Sequence, residues 1–161
     1  MIAQESGVSN GTLFRYFPTK EELINSVYYE IKGQMGKNIS KGVAGEKTLE
    51  DKARRIWSNI ILWGVLNSDE FLFMEQFTAS PFITKLPEEE ILKNYALVYE
   101  VLLEILKIGP LKDVDPEVAL IMIFSTTRGV VRSIIDSKGA LDTEQSIDQS
   151  FRLIWTGLSG E

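Results

Sequence analysis

With 161 residues, 44% of them hydrophobic, the chain is long enough to bury a sizeable core in one or two domains and too apolar to be disordered. It has no cysteine and no histidine, which removes disulfides, thiol nucleophiles, zinc fingers and imidazole acid–base chemistry together. No uninterrupted apolar run of about 18 residues and no basic-then-apolar start is present, so neither a membrane span nor a signal peptide is expected, and a cytoplasmic protein is the default.

Residues 7–23, GVSNGTLFRYFPTKEEL, open on a turn. Gly7 can end one helix with a positive φ, and Ser9 suits the N-cap of the next. A helix over roughly 10–16 then places Asn10, Gly11, Thr12 and Arg15 on one side and Leu13 and Phe17 on the other, before Pro18 stops it. Two turns between two stops are too short to be stable alone, so this element must be clamped on neighbours with its polar side turned outward. In a helix-turn-helix that side enters the major groove of DNA. Thr19 and Glu22 form a T-x-x-E capping box for a long helix, with Leu23, Val27 and Ile31 at helical spacing. That helix is expected to end near Met35, weakened by Gly33 and Gly36, with a polar loop over 37–47.

Thr48 and Asp51 start the next helix, which is expected to reach about Asn67. Asn67-Ser68-Asp69 caps a short helix that Pro81 ends. Pro87 and three glutamates open a helix expected to run unbroken to about Ile108. Asp115-Pro116-Glu117 opens another, apolar on almost every side from Val118 to Phe124 and therefore expected to be central. Asp142 or Thr143 begins the last, with Ile147, Phe151, Ile154 and Leu158 at helical spacing. No strand-like alternation of useful length appears, and the fold class is all-α. Val130, Val131, Ile134, Ile147, Phe151, Ile154, Trp155 and Leu158 supply an apolar surface that suits a dimer interface through the last two helices; the alternative is that they close the monomer core. Arg128, mid-helix among apolar residues, needs a partner: Glu75, Glu104 or an anionic ligand, unless its stem reaches the surface.

The string IAQESGVSNGTLFRYFPTKEELINSV closely resembles the DNA-binding signature of TetR-family (tetracycline-repressor-like) transcriptional regulators, from Ile2 to about Val27. The rest of the chain resembles that family only in its run of amphipathic helices. Family members carry a helix ahead of this signature; here Met1 adjoins Ile2, so that helix is expected to be absent, through truncation, a mis-assigned start or natural loss. The resemblance implies that Ser9, Asn10, Gly11, Thr12, Phe14, Arg15, Tyr16 and Lys20 form the DNA-binding site. Asn10, Gly11 and Thr12 then approach base edges, while Tyr16 and Lys20 hold phosphates. Phe14 stands where the family often has a tyrosine, so a hydroxyl contact would be lost. The resemblance also implies a largely apolar effector pocket in the later helices. Its candidate residues are Trp57, Trp63, Phe77, Tyr95, Tyr99, Phe124 and Arg128, although aromatics at helical spacing are more often plain core.

Residues 1–40 balance Arg15, Lys20, Lys32 and Lys37 against Glu5, Glu21, Glu22 and Glu30, so the whole net charge of −6 lies after them, away from the DNA face. A neutral module is still a poor electrostatic footprint for DNA. The reading is a ligand-responsive regulator, a repressor released from a palindromic double-stranded operator by a small, largely apolar effector. It has an incomplete DNA-binding domain with its connecting helix in 1–36 and an effector-binding and dimerisation domain in 37–161. Neither a cofactor nor a metal is expected, and without histidine, cysteine or a paired-carboxylate cleft, enzymatic activity is not. The alternative is a helical ligand-binding or interaction module with no DNA activity.

Overall fold

The computed structural model describes residues 15–78, 80–83 and 89–160. Arg15 and Tyr16 are helical, and seven further helices follow among the described residues, with no strand. They are α1 (Lys20–Ile39), α2 (Leu49–Leu66), α3 (Ser68–Phe77), α4 (Glu89–Lys93), α5 (Ala96–Ile105), α6 (Pro116–Asp136) and α7 (Thr143–Ser159). Short 3₁₀ turns at Val43–Gly45 and Gly109–Asp113 lie between them.

The helix starts follow the capping chemistry. Thr19, Thr48, Asp115 and Asp142 each accept a backbone N–H of the following turn through the side chain. Asn67 does not: it makes no side-chain bond to the start of α3, and its amide donates instead to the Trp63 carbonyl at the end of α2. The residue expected as an N-cap therefore closes the preceding helix, its backbone N–H and its side-chain amide both donating to the Trp63 carbonyl.

Helix α1 runs to Ile39, past the expected end near Met35. Gly36 is there for contact rather than termination. A Cβ on Gly36 would stand 2.6 Å from the Tyr95 ring and 2.9 Å from Asn94 Cβ. Those two residues break what reads in sequence as one helix into α4 and α5. At the break the Tyr95 hydroxyl donates to the Lys32 carbonyl at 2.7 Å, and the Asn94 carbonyl accepts the Ser40 hydroxyl at 2.7 Å. The Ser40 hydroxyl, just past the end of α1, thus supplies the Asn94 carbonyl with a donor, and the α1 backbone accepts the Tyr95 hydroxyl.

The central helix is α2, not α6. It packs on α1, α3, α5, α6 and α7, with Ile56, Trp57, Ile61 and Trp63 buried. Gly64 lets α6 come close, since a Cβ there would meet Val131 Cγ1 at 2.7 Å. In α6 only Ala119, Thr127, Val131 and Ile134 are buried; Val118, Ile121, Met122 and Phe124 are exposed. By length and composition α6 also suffices to cross a membrane. Its docking on α2 and α7, with Arg128 and Arg132 on its outer side, is that of a bundle helix with one apolar face left bare.

Candidate functional site

Two regions carry the chemistry. At the N-terminal end, Ser9, Asn10, Gly11, Thr12 and Phe14 lie outside the described residues. Arg15, Tyr16 and Lys20 are exposed, Tyr16 to 75%. Lys20 Nζ stands 5.7 Å from the centroid of Phe82, in the loop after α3. That loop is tied to α1 at two further points. The Asn25 amide, buried in the interface, donates to the Phe82 carbonyl as well as to Glu21 O, and the Tyr28 hydroxyl pairs with Thr78 Oγ1 at 3.3 Å. Three residues in one stretch of α1 are thus held by the end of α3, next to the surface proposed to meet DNA.

The second region is an apolar cavity between α5 and α6, which scarcely touch each other. Its floor comes from α2 (Ala53, Ile56, Trp57), α5 (Val98, Val101, Leu102, Ile105) and Phe151 of α7, all buried. Its rim comes from Phe124 of α6, half exposed, with Ile60, Ile123, Ile154, Trp155 and Leu158 partly buried. Arg54 covers the Phe151 ring at 4.4 Å while paired with Asp148 at 2.9 Å. The free space within it is about 50 Å³, room for a few water molecules. The lining is too apolar to hold water well, so this is a collapsed hydrophobic site.

Of the seven residues expected at the effector site, the cavity gathers Trp57 and Phe124. Trp63 is buried core, and Phe77 packs on Phe73 at 4.7 Å within α3. Tyr95 is spent on the α4–α5 break, where burial first, then the neighbouring Tyr28 and Tyr99, pushes its phenol well above the usual tyrosine range. Tyr99 points to solvent, 49% exposed. Arg128 is likewise exposed rather than buried; it pairs with Glu75 at 3.5 Å, and Arg132 meets the same carboxylate at 3.4 Å. Of the expected dimer set, Val131, Ile134, Ile147 and Phe151 are buried in the monomer core, and Ile154, Trp155 and Leu158 line the cavity. The cavity residues of α5 were missed, though Val98, Val101, Leu102 and Ile105 recur at helical spacing and mark a single buried face.

Residues 1–27 match the model of bacterial regulatory proteins of the tetR family. Over 98% of its length the chain is 25% identical to a fatty acid metabolism regulator protein of Bacillus subtilis, covering 82% of that protein. The chain is thus similar to TetR-family regulators, most specifically over its first 27 residues. Solved structures share this fold. One is a TetR-family transcription regulator from Marinobacter aquaeolei, with a TM-score of 0.75 at 22% identity, over 96% of this chain and 80% of that one. Another is FadR of Bacillus subtilis in complex with stearoyl-CoA, with a TM-score of 0.69 at 21% identity, over 95% and 84%. Both solved structures are of transcription regulators. In this chain the exposed residues Arg15, Tyr16 and Lys20 and the apolar cavity fall in two separate parts of the fold.

Proposed function

We propose that this regulator is a cytoplasmic, ligand-responsive repressor whose effector carries a long hydrocarbon chain, such as a fatty acyl thioester. The observation that carries the reading is the cavity between α5 and α6, walled almost entirely by hydrocarbon, in a chain similar to a fatty acid metabolism regulator. Residues 1–36 form the DNA-binding module and its connecting helix; residues 37–161 form the effector and dimerisation part. Ser9, Asn10, Gly11, Thr12, Phe14, Arg15, Tyr16 and Lys20 face a palindromic operator. A homodimer matches such a site because protein and half-site symmetry must agree. Its contact draws on the bare apolar side chains of the last two helices, Ile121 and Met122 of α6 and Leu153 of α7. The interior residues first expected there are already used within one chain.

The collapsed cavity gives the effector leverage. A chain that fills the cavity must part α5 from α6, so it binds a widened conformation better than this one, which is the differential affinity any allosteric ligand needs. Phe124 and Thr127 of α6 line the cavity; one turn on, Arg128 and Arg132 hold Glu75 of α3, whose C-terminal loop holds α1. Movement of α6 is thereby coupled to the helix that carries the DNA module. A coupling of about 1–3 kcal/mol, roughly 5–150-fold in operator affinity, is the ordinary scale.

The test is anisotropy of a labelled duplex from upstream of the protein's own gene, with non-specific competitor, titrated with stearoyl-CoA. Salt-sensitive binding that survives the competitor and is released by the thioester is expected. Binding that stearoyl-CoA leaves unchanged overturns the effector class. No specific binding to any fragment of the genome favours the alternative, a helical ligand-binding module.

A further inference from the structure

Three of the residues lining the cavity carry a polar side-chain group: Thr127 its hydroxyl, and Trp57 and Trp155 their indole N–H groups. Two are spent within the protein. Thr127 Oγ1 donates to the Ile123 carbonyl at 2.8 Å, and Trp57 Nε1 donates to Ser150 Oγ at 3.0 Å. Trp155 Nε1 is different. It is buried away from solvent and is, among the described residues, the one buried side-chain nitrogen or oxygen with no hydrogen-bond partner. Its ring stacks on Phe151, centroids 5.8 Å apart and planes 16° from parallel, so the indole is held in place rather than free to turn its N–H elsewhere. A buried donor without an acceptor is costly, and a native protein that keeps one calls for a reason. Phenylalanine or leucine would give the same apolar wall at no such cost.

We propose that Trp155 Nε1 is the polar anchor of the effector site, donating a hydrogen bond to a carbonyl oxygen at the head of the effector's hydrocarbon chain. Trp155 is only partly buried and stands at the rim, while the floor below it is wholly apolar. An amphiphile entering tail first therefore brings the first atoms of its head to the level of the indole. The N–H has no acceptor capacity and carries no charge, so it selects a neutral carbonyl, as in a thioester or ester, over an amine or ammonium head. The inference rests on the proposed acyl effector and adds the group that reads its head.

The experiment compares two probes on the full-length protein by calorimetry: stearoyl-CoA and its thioether S-octadecyl-CoA, which has the same chain and nucleotide but no carbonyl. The thioester is expected to bind the parent roughly three- to tenfold more tightly, the scale of one neutral hydrogen bond. Trp155→Phe is expected to reduce that ratio to near one, while Trp57→Phe, an equal loss of ring, keeps it. A ratio near one in the parent, with both probes bound, overturns the anchor and leaves the acyl effector standing. Replacing Trp155 by benzothienylalanine, which keeps the shape and loses the N–H, covers the case in which the phenylalanine variant does not fold. A ratio kept in either Trp155 variant also overturns the anchor. So does weakened self-association with an unchanged ratio, which would place the acceptor in a second copy of the chain. Binding of neither probe overturns the anchor and the acyl effector together.

Discussion

Replacing Gly36 by alanine should destabilise the protein, although alanine is the better helix former. The position is in the interior of α1, where glycine costs about 1 kcal/mol against alanine. The new methyl, however, would stand 2.6 Å from Tyr95 Cε2 and 2.9 Å from Asn94 Cβ, distances that van der Waals contact does not allow. Neither atom ends a flexible side chain, so α1 and the α4–α5 break must separate. Overpacking of this kind costs about 1–3 kcal/mol. Drawing Tyr95 away also strains its 2.7 Å bond to the Lys32 carbonyl, worth about 1 kcal/mol. Set against the propensity gain, the net loss is about 1–3 kcal/mol, and each kcal/mol lowers Tm by roughly 2–4 °C for a protein of this size. Gly33, one turn earlier, is the control. A Cβ there meets only Ile91 Cγ1 at 3.7 Å, an ordinary contact. Gly33→Ala should therefore raise stability by up to about 1 kcal/mol. Urea unfolding of the two variants beside the parent measures both. If Gly36→Ala is as stable as the parent or more so, the close packing of α1 on Tyr95 is wrong.

Arg15→Ala should weaken operator binding across sequences and reduce the salt slope by about 1, leaving effector binding unchanged; an unaltered slope removes Arg15 from the phosphate contacts. Glutamate at Met122 or Leu153, both exposed apolar positions of the last two helices, should shift the protein toward monomer in sedimentation velocity. Unchanged mass in both variants puts the contact elsewhere. Affinity for saturated acyl-CoAs should rise about fourfold per added methylene, the worth of about 0.8 kcal/mol of buried hydrocarbon, until the widened cavity is full; a flat series in calorimetry excludes tail burial. Above about pH 10 the Tyr95 phenol ionises in the unfolded chain but resists in the native one, where burial raises it. Its contribution to stability is thus complete below that pH and is lost as pH rises toward the native value. Lys32, lowered by burial, works in the opposite sense, so the parent must be compared with Tyr95→Phe. The parent should lose stability more steeply in alkali, and parallel curves would refute the assignment.

The sequence by itself determined whatever depends on neighbours along the chain. Thr19, Thr48, Asp115 and Asp142 marked four helix starts, because a cap is a contact between residues two or three apart. The signature over residues 1–27 carried the resemblance to TetR-family regulators in the same way, since such a motif is contiguous in the chain. Tertiary structure decided the rest. No local rule makes Asn94 and Tyr95 break a helix; the break exists because Gly36 lets them come close to α1, where the Lys32 carbonyl accepts the Tyr95 hydroxyl and the Ser40 hydroxyl donates to the Asn94 carbonyl. Composition suggested that α6 is central, whereas its apolar face is bare and α2 occupies the middle, because burial depends on which helices pack around it. The proposed effector site followed the same logic. Aromatic residues on successive helices gave a candidate set, but only packing brought Trp57 and Phe124 to one cavity and sent Tyr95, Phe77 and Arg128 to other tasks. Trp155 read in sequence as part of an interface. What sets it apart, an indole N–H enclosed with no acceptor, depends on everything that surrounds it and so exists only in the folded chain.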